Sequence, residues 1–454
     1  MQTGSRVGGT VRLIRSPVSV AGMVLTTISA VAFLVVFFAD LFGLHTNPYI
    51  GLVFFLLLPG LFVIGLLLIP LGAWIERRRR AAGHAPSELH WPRIDLNDPA
   101  HRRTAVAIFA LTMVNIVIVS LGAYRGVEYM DSVQFCSSAC HSVMKPEGTA
   151  HQNGPHARVA CVACHVGSGA TSFAKAKLSG TRQLIALTRG TYARPIGAPI
   201  RNMVPARDTC EQCHWPEQLH DDRIKRSVEY ADDEKSTASV TTLKLHVGGG
   251  SESRGVASGI HWHMNLANQI EYIASDAKRQ VIPYVRLTDR SGAVREYVAD
   301  GASPELLAHG ERRRMDCVDC HNRPAHTMAT TAERAVNEAM ARGEFPALPF
   351  VHREAVKALK TGYATEAAAV DGIGAALRTF YADAPAAEAR KAVEATTRIY
   401  RGNVFPEMRV GFGTYPNNIG HVDSAGCFRC HDDSHKTKAG KAISQDCETC
   451  HSIE

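Results

Sequence analysis

The sequence predicts a membrane-anchored chain in two unequal parts: three N-terminal transmembrane helices, then an exported domain of mostly helix and coil with a small β insertion. Three observations carry that prediction. Long apolar runs are confined to the first 125 residues. Arginines are distributed unevenly around those runs. All 12 cysteines fall after residue 135, in six close pairs, each followed directly by a histidine. With 454 residues, the chain is long enough for two or three structural units.

A helix needs about 20 apolar residues to cross a bilayer. Three runs meet that length: roughly Val18 to Leu44, Tyr49 to Ile75 and Thr104 to Tyr124. Arg6, Arg12 and Arg15 precede the first, as they would a signal peptide. Its apolar stretch is long for such a segment, however, and no small-residue cleavage site follows before the second run. The N-terminal arm therefore reads as cytoplasmic. The loop at His45 to Pro48 has no Lys or Arg, whereas the next loop carries Arg77, Arg78, Arg79, Arg80, Arg93, Arg102 and Arg103. Placing Arg at the membrane centre costs about 2.5–3.5 kcal/mol per residue, so the Arg-rich loop stays inside. Everything after Tyr124 is then expected outside the cytoplasm. Asp40 is expected near a membrane surface, and Asn115, in mid-span, is expected to bond a neighbouring helix.

A net charge of +7 is modest for this length, and its basic residues form no nucleic-acid footprint. An even cysteine count in an exported region ordinarily suggests disulfides. Here the residue after each pair decides otherwise. Five stretches read C-x-x-C-H: Cys161–Cys164–His165, Cys210–Cys213–His214, Cys317–Cys320–His321, Cys427–Cys430–His431 and Cys447–Cys450–His451. Two thiols on one turn reach the two vinyl groups of a porphyrin, and the next residue lies under the iron as proximal ligand. The sixth pair is stretched, with three residues between Cys136 and Cys140, but His141 still follows. Neither a zinc ribbon nor a disulfide framework calls for a histidine after every pair. The expected cofactor is therefore haem c, about six per chain, and the fold class a membrane-anchored multihaem cytochrome c.

Histidine is abundant, at 21. Candidates for the second axial position are His156, five residues before Cys161; His261 and His263, flanking Trp262; His326, after the fourth motif; and His421 and His435, bracketing the fifth. Met144, three residues past His141, is a further candidate for the first haem. His352, opening a helix-like region, reads as structural.

The motif spacing divides the chain into a membrane domain (1–125), a three-haem cluster (126–224), a β-containing insertion with axial histidine candidates (225–305), a single-haem and Ala-rich helical region (306–416) and a C-terminal two-haem segment (417–454). Thr241 to Val247 alternates like a strand, and Val281 to Val298 reads as a hairpin turning at Asp289. No Gly-rich phosphate loop or Ser/His/Asp arrangement is present.

The stretches Phe135–Cys136–Ser–Ser–Ala–Cys140–His141–Ser–Val–Met144, Pro155–His156–Ala–Arg–Val–Ala–Cys161 and Pro205–Ala–Arg–Asp–Thr–Cys210–Glu–Gln–Cys213–His214–Trp–Pro resemble the NapC/NirT family of membrane-anchored quinol-oxidising cytochromes. Gly259–Ile–His261–Trp–His263, the segment Asp316 to His326 and Gly426 to Asp432 are similar to its larger inner-membrane members, of the ImcH type. Simple members have one anchor helix and four haems, and a first motif with two residues between its cysteines and Met two positions after the His. The resemblance implies respiratory electron transfer at the inner membrane. Electrons come from the quinol pool, the haem domain is periplasmic, and a soluble cytochrome or reductase is the acceptor. It also implies a lysine and an acid near the quinol, for which Lys145, Glu128 and Asp131 stand close to the first motif; Glu147 is a further ionisable neighbour. The resemblance calls for no nucleic acid, and self-association is left open. The alternative is a multihaem terminal reductase acting on a small periplasmic substrate. That reaction needs an open iron position, often marked by Lys in place of the proximal His, and all six motifs end in His.

Overall fold

The computed structural model describes residues 16–41, 58–83, 95–138, 141–167, 170–200, 205–215, 221–248, 259–264 and 268–454. Its contacts divide the chain into two units: residues 1–130 with 166–182, and residues 131–165 with 183–454.

In the first unit, helices form where the apolar runs predict them: α1 (Pro17–Leu41), α2 (Leu58–Ala81) and α3 (Pro99–Asp131). Among the described residues, only Gly60–Ala81 is long and apolar enough to cross a membrane. The described apolar part of α1, Pro17–Ala32, is shorter than a span. The expectation of three spans is thus met by one helix among the described residues, and the side chain of Asn115 lies outside them. Helices α1 and α2 pack along a seam of small residues. A Cβ on Gly22 would sit 2.7 Å from the Gly65 carbonyl oxygen, and one on Gly65 would collide with Thr26. Ser19 Oγ donates to the Ile69 carbonyl at 2.9 Å. Small residues let two backbones approach where lipid removes the hydrophobic drive for association. Leu67 and Trp74 lie exposed on α2, as lipid-facing side chains would.

The second unit begins with α4 (Val133–Ser138), α5 (His141–Gln152) and α6 (Cys161–His165). Helix α7 (Ala170–Arg189) runs from the first unit into the second, and α8 (Ala206–Cys210) follows. Two antiparallel sheets come next. The first has the order β1 (Asp222–Tyr230), β2 (Ala238–His246), β7 (His451–Ile453). The second runs β5 (Val294–Val298), β4 (Tyr284–Thr288), β3 (Gln269–Ile273), β6 (Arg313–Arg314). The predicted strand and hairpin are β2 and β4–β5. The expectation of one small β insertion is corrected, because each sheet recruits a strand from outside residues 225–305. Strand β6 leads into the Cys317 motif. Strand β7 carries His451 itself, with Leu245 opposite His451 and Leu243 opposite Ile453. Backbone pairing thus makes the sheets scaffolds for two motifs.

Helices α9 (Pro304–His309) and α10 (Cys317–Cys320) precede an Ala-rich bundle of α11 (Ala332–Ala341), α12 (Val351–Lys360), α13 (Glu366–Phe380) and α14 (Ala386–Asn403). Its core joins Val336, Leu359, Ile373, Leu377 and Tyr400, all buried. Alanine permits this close packing at little cost in side-chain entropy. Thr331 and Thr365 cap α11 and α13 by accepting from the amides of Arg334 and Ala368. A second cluster, Val143 with Phe405, Met408 and Tyr415, fastens α5 to the chain after the bundle.

Candidate functional site

Each of the five regular motifs lies on a helical turn. Cys161–His165 and Cys317–Cys320 are short α-helices, Cys210 ends α8, and Gly426–Arg429 and Cys447–Thr449 are 3-10 turns. A turn of this kind puts the two thiols of a pair on neighbouring faces. The stretched motif uses its extra residue differently. Cys136 belongs to α4, whereas His141 opens α5, so the motif spans a helix break. Gly148 of α5 lies against Ser137 of α4, where an added Cβ would sit 2.7 Å from the serine Cβ. Cys140 and the His141 side chain lie outside the described residues.

Five proximal histidines each face one candidate distal histidine. The ring centroids are 6.0 Å apart for His165 and His326, 6.0 Å for His214 and His156, and 6.3 Å for His321 and His261. They are 5.8 Å apart for His431 and His263 and 6.1 Å for His451 and His421. An iron with two imidazole ligands at about 2 Å each places the ring centroids about 6 Å apart. The side chains therefore fit a haem iron between each pair.

The second shell fits as well. Nδ1 of His156 donates to Pro324 at 3.0 Å, of His261 to Val247 at 3.1 Å, of His263 to Ile260 at 2.7 Å, and of His326 to Glu147 at 3.0 Å, each time at a backbone carbonyl. His431 Nδ1 donates to the Ser444 carbonyl at 2.6 Å. A carbonyl only accepts, so Nδ1 carries the proton and Nε2 keeps its lone pair for a metal. Burial holds His165, His261, His263, His321 and His326 below the ordinary imidazole pKa, which favours the neutral ring that a metal requires. His421 stacks on Phe428, with centroids 4.2 Å apart.

One candidate does not fit. His435 is buried, with Nδ1 at 2.7 Å from Asp432 Oδ1 and Nε2 at 2.6 Å from the Ile282 carbonyl. Both nitrogens face acceptors, so none is left for iron. Met144 lies on α5, one turn along from His141, whose side chain lies outside the described residues.

The acid–base candidates are dispersed. Lys145 is half exposed and paired with Glu366, which also meets Arg401 at 3.2 Å. Glu128 pairs with Arg125 at 2.7 Å. Asp131 ends α3. Glu147 has a structural role: it accepts from Arg323 at 2.9 Å, and Arg323 in turn donates to the His326 carbonyl. His352 is buried and bonded to Asp232 at 2.7 Å, as its structural reading expects.

Sequence reasoning passed over the variable positions inside the motifs. Asp319 is 3 % exposed and accepts from Tyr272 Oη at 2.6 Å, with Arg279 and Arg313 at 3.3 and 3.5 Å. Arg429 is buried and donates to the carbonyls of Gly426, Arg279 and Asp319 at 2.8, 2.9 and 2.7 Å. A charged residue between two cysteines is the available signal, and it gives no partner. His151 is buried, its Nε2 lies 3.0 Å from the Val159 carbonyl, and its Nδ1 meets no partner among the described residues. It stands 6.1 Å from His326, against 6.0 Å for His165, and by the same donor rule its Nδ1 keeps its lone pair.

Thiols of successive motifs also touch. A hydrogen bond from Cys136 pulls the Cys161 thiol down to about 6, and one from Cys317 lowers Cys210. Burial pushes Cys320 and Cys430 up to about 11 and 12. Among the described residues, no three His, Cys, Asp or Glu side chains converge as they would around a tetrahedral metal ion.

Comparison with known proteins points the same way. Residues 99–195 match the N-terminal region of the NapC/NirT cytochrome c family. The chain is 41% identical over 451 residues to the cytochrome c-type protein ImcH of Geobacter sulfurreducens, covering 96% of this chain and 88% of that protein. No solved structure matches the chain. Paired cysteines on helical turns, each with its following histidine, are what covalent haem attachment requires, and with these matches the chain belongs to the NapC/NirT cytochrome c family of membrane-anchored electron-transfer proteins.

Proposed function

We propose that this chain is a quinol-oxidising cytochrome of the inner membrane, with its N-terminus and Arg-rich loop cytoplasmic and its haem domain periplasmic. The apolar helix Gly60–Ala81 would anchor it, and the six motifs would each hold one haem c. The five histidine pairs at 5.8–6.3 Å carry the reading. An iron held by two imidazoles has no open position for substrate, so it supplies reversible one-electron transfer. That favours a relay over a terminal reductase.

The chain's own part is to bind and orient. Cysteines anchor each group, carbonyl-bound histidines fix its plane, and burial lowers the dielectric around it. Oxidising a quinol also releases protons, so the entry point needs an acceptor. Asp131 lies nearest Cys136 in the chain and is the first candidate. Glu128 and Lys145, each in an ion pair, are the other candidates. The electrons would leave to a soluble periplasmic cytochrome or reductase.

The reading is tested by titrating the purified, detergent-solubilised protein anaerobically with menaquinol and ubiquinol analogues and following haem absorbance. Reduction by either is expected. No reduction by any quinol, with full reduction by dithionite, would overturn it. A high-spin ferric signal in the same spectra would favour the reductase.

A further inference from the structure

Each regular motif borrows its distal histidine from sequence beside another motif or from a shared turn. His156 sits just before the second motif and faces His214 of the third. His326 sits just after the fourth and faces His165 of the second. His261 and His263 belong to one 3-10 turn, Ile260–Met264, yet face His321 of the fourth and His431 of the fifth. His421 sits just before the fifth and faces His451 of the sixth. For His156, His326 and His421 the chain between donor and neighbouring motif is five or six residues, and a residue spans at most about 3.6 Å, so each such loan keeps two sites close.

Contacts between motifs supply independent ties. The Ala206 amide donates to Asp316 at 3.0 Å, joining third to fourth. Arg429, inside the fifth motif, donates to the carbonyl of Asp319, inside the fourth, at 2.7 Å.

We propose that the five regular attachment sites stand as one connected series: the second, third and fourth are mutually adjacent, the fifth joins the fourth, and the sixth ends it. The third site is held from both sides, since His156 ties it to the second and Ala206 to the fourth. The fourth and fifth form the most rigid pair, because a single turn carries both distal ligands and the Arg429 clamp closes the other side. The first site, which follows α3 in the chain, is the entry under the function proposed above, and the sixth, at the far end of the series, is the exit.

The order is tested without quinol. Single variants His156→Met, His326→Met, His261→Met, His263→Met and His421→Met of the full-length holoprotein are titrated with dithionite and followed by low-temperature EPR. Haem is counted in each. Replacing His by Met raises the potential of the affected haem and marks its signal. Under the proposal, His421→Met marks the sixth signal and shifts only the fifth beside it, while His263→Met shifts the fourth and sixth. A His421→Met effect confined to one signal, or reaching the first or second instead of the fifth, overturns the series. Arg429→Gln keeps every ligand and is expected to shift the fourth and fifth signals together; no shift in either would remove the clamp. Normal low-spin signals with no reduction by quinol would overturn the quinol reading and leave the series standing.

Discussion

A histidine is assigned by what both its nitrogens meet. His263 gives Nδ1 to a carbonyl, and its ring lies 5.8 Å from that of His431, whereas His435 has acceptors at both nitrogens. His435→Ala would strand Asp432 and the Ile282 carbonyl in a buried site, at a cost of about 1–3 kcal/mol. The expected outcome is a lower denaturant midpoint with an unchanged set of low-spin EPR signals; loss of one signal would return His435 to the ligands. Lys145 gives a pH-dependent test. Its hydrogen bond, reinforced by Arg401, holds the Glu366 carboxyl below its ordinary range. A depressed carboxylate pKa stabilises the fold above the unfolded value of about 4.3, and that contribution is lost as pH falls through the folded value. The pair is largely exposed, so it contributes at most about 1 kcal/mol. Lys145→Ala should therefore unfold at lower denaturant than the parent at pH 7, and the two curves should converge toward pH 3.

Among the elements, α4 and α5 flank the stretched motif, and Gly148 of α5 packs tight against Ser137 of α4. Gly148→Val forces the two helices apart, and overpacking of this kind costs about 1–3 kcal/mol. Haem quantification is expected to fall by one per chain relative to the parent, with the first site lost. An unchanged haem count in a folded Gly148→Val protein would mean that this contact does not position Cys136. The α1–α2 seam makes a similar demand. Gly65→Leu should separate the pair and lower detergent stability without altering haem content.

Taken whole, the second unit is cross-stitched by its last residues. Strand β7 closes the first sheet and carries His451, so the C-terminus is both sheet edge and ligand. Ending the chain before His451 removes one ligand and exposes the edge of β2. The expected result is five haems and increased aggregation, read by haemochrome assay and size-exclusion chromatography. Arg429 is the internal counterpart, and three carbonyls lose their donor if it is truncated. Arg429→Ala should cost more than about 3 kcal/mol, because buried acceptors of this kind lose a charge-assisted bond each.

The sequence by itself determined the chemistry. Five C-x-x-C-H motifs and a stretched sixth need no tertiary contact to be read, because attachment is set by spacing within one turn. It also located the helices α1 to α3, strand β2 and the β4–β5 hairpin, whose apolar periodicity is local. The five histidines that face the motifs are legible as candidates: three lie within six residues of a motif, and the other two flank Trp262. Their pairing was decided only by the tertiary structure. His326 and His165 are 161 positions apart, and nothing local tells His326 that it faces the second motif and not the fourth beside it. The same holds for β6 and β7, strands of two and three residues with no periodicity to read, and for Arg429 and Asp319. Ligand partners, short strands and buried charges are all chosen by what lies across the fold, and that is a property of packing and not of any one segment.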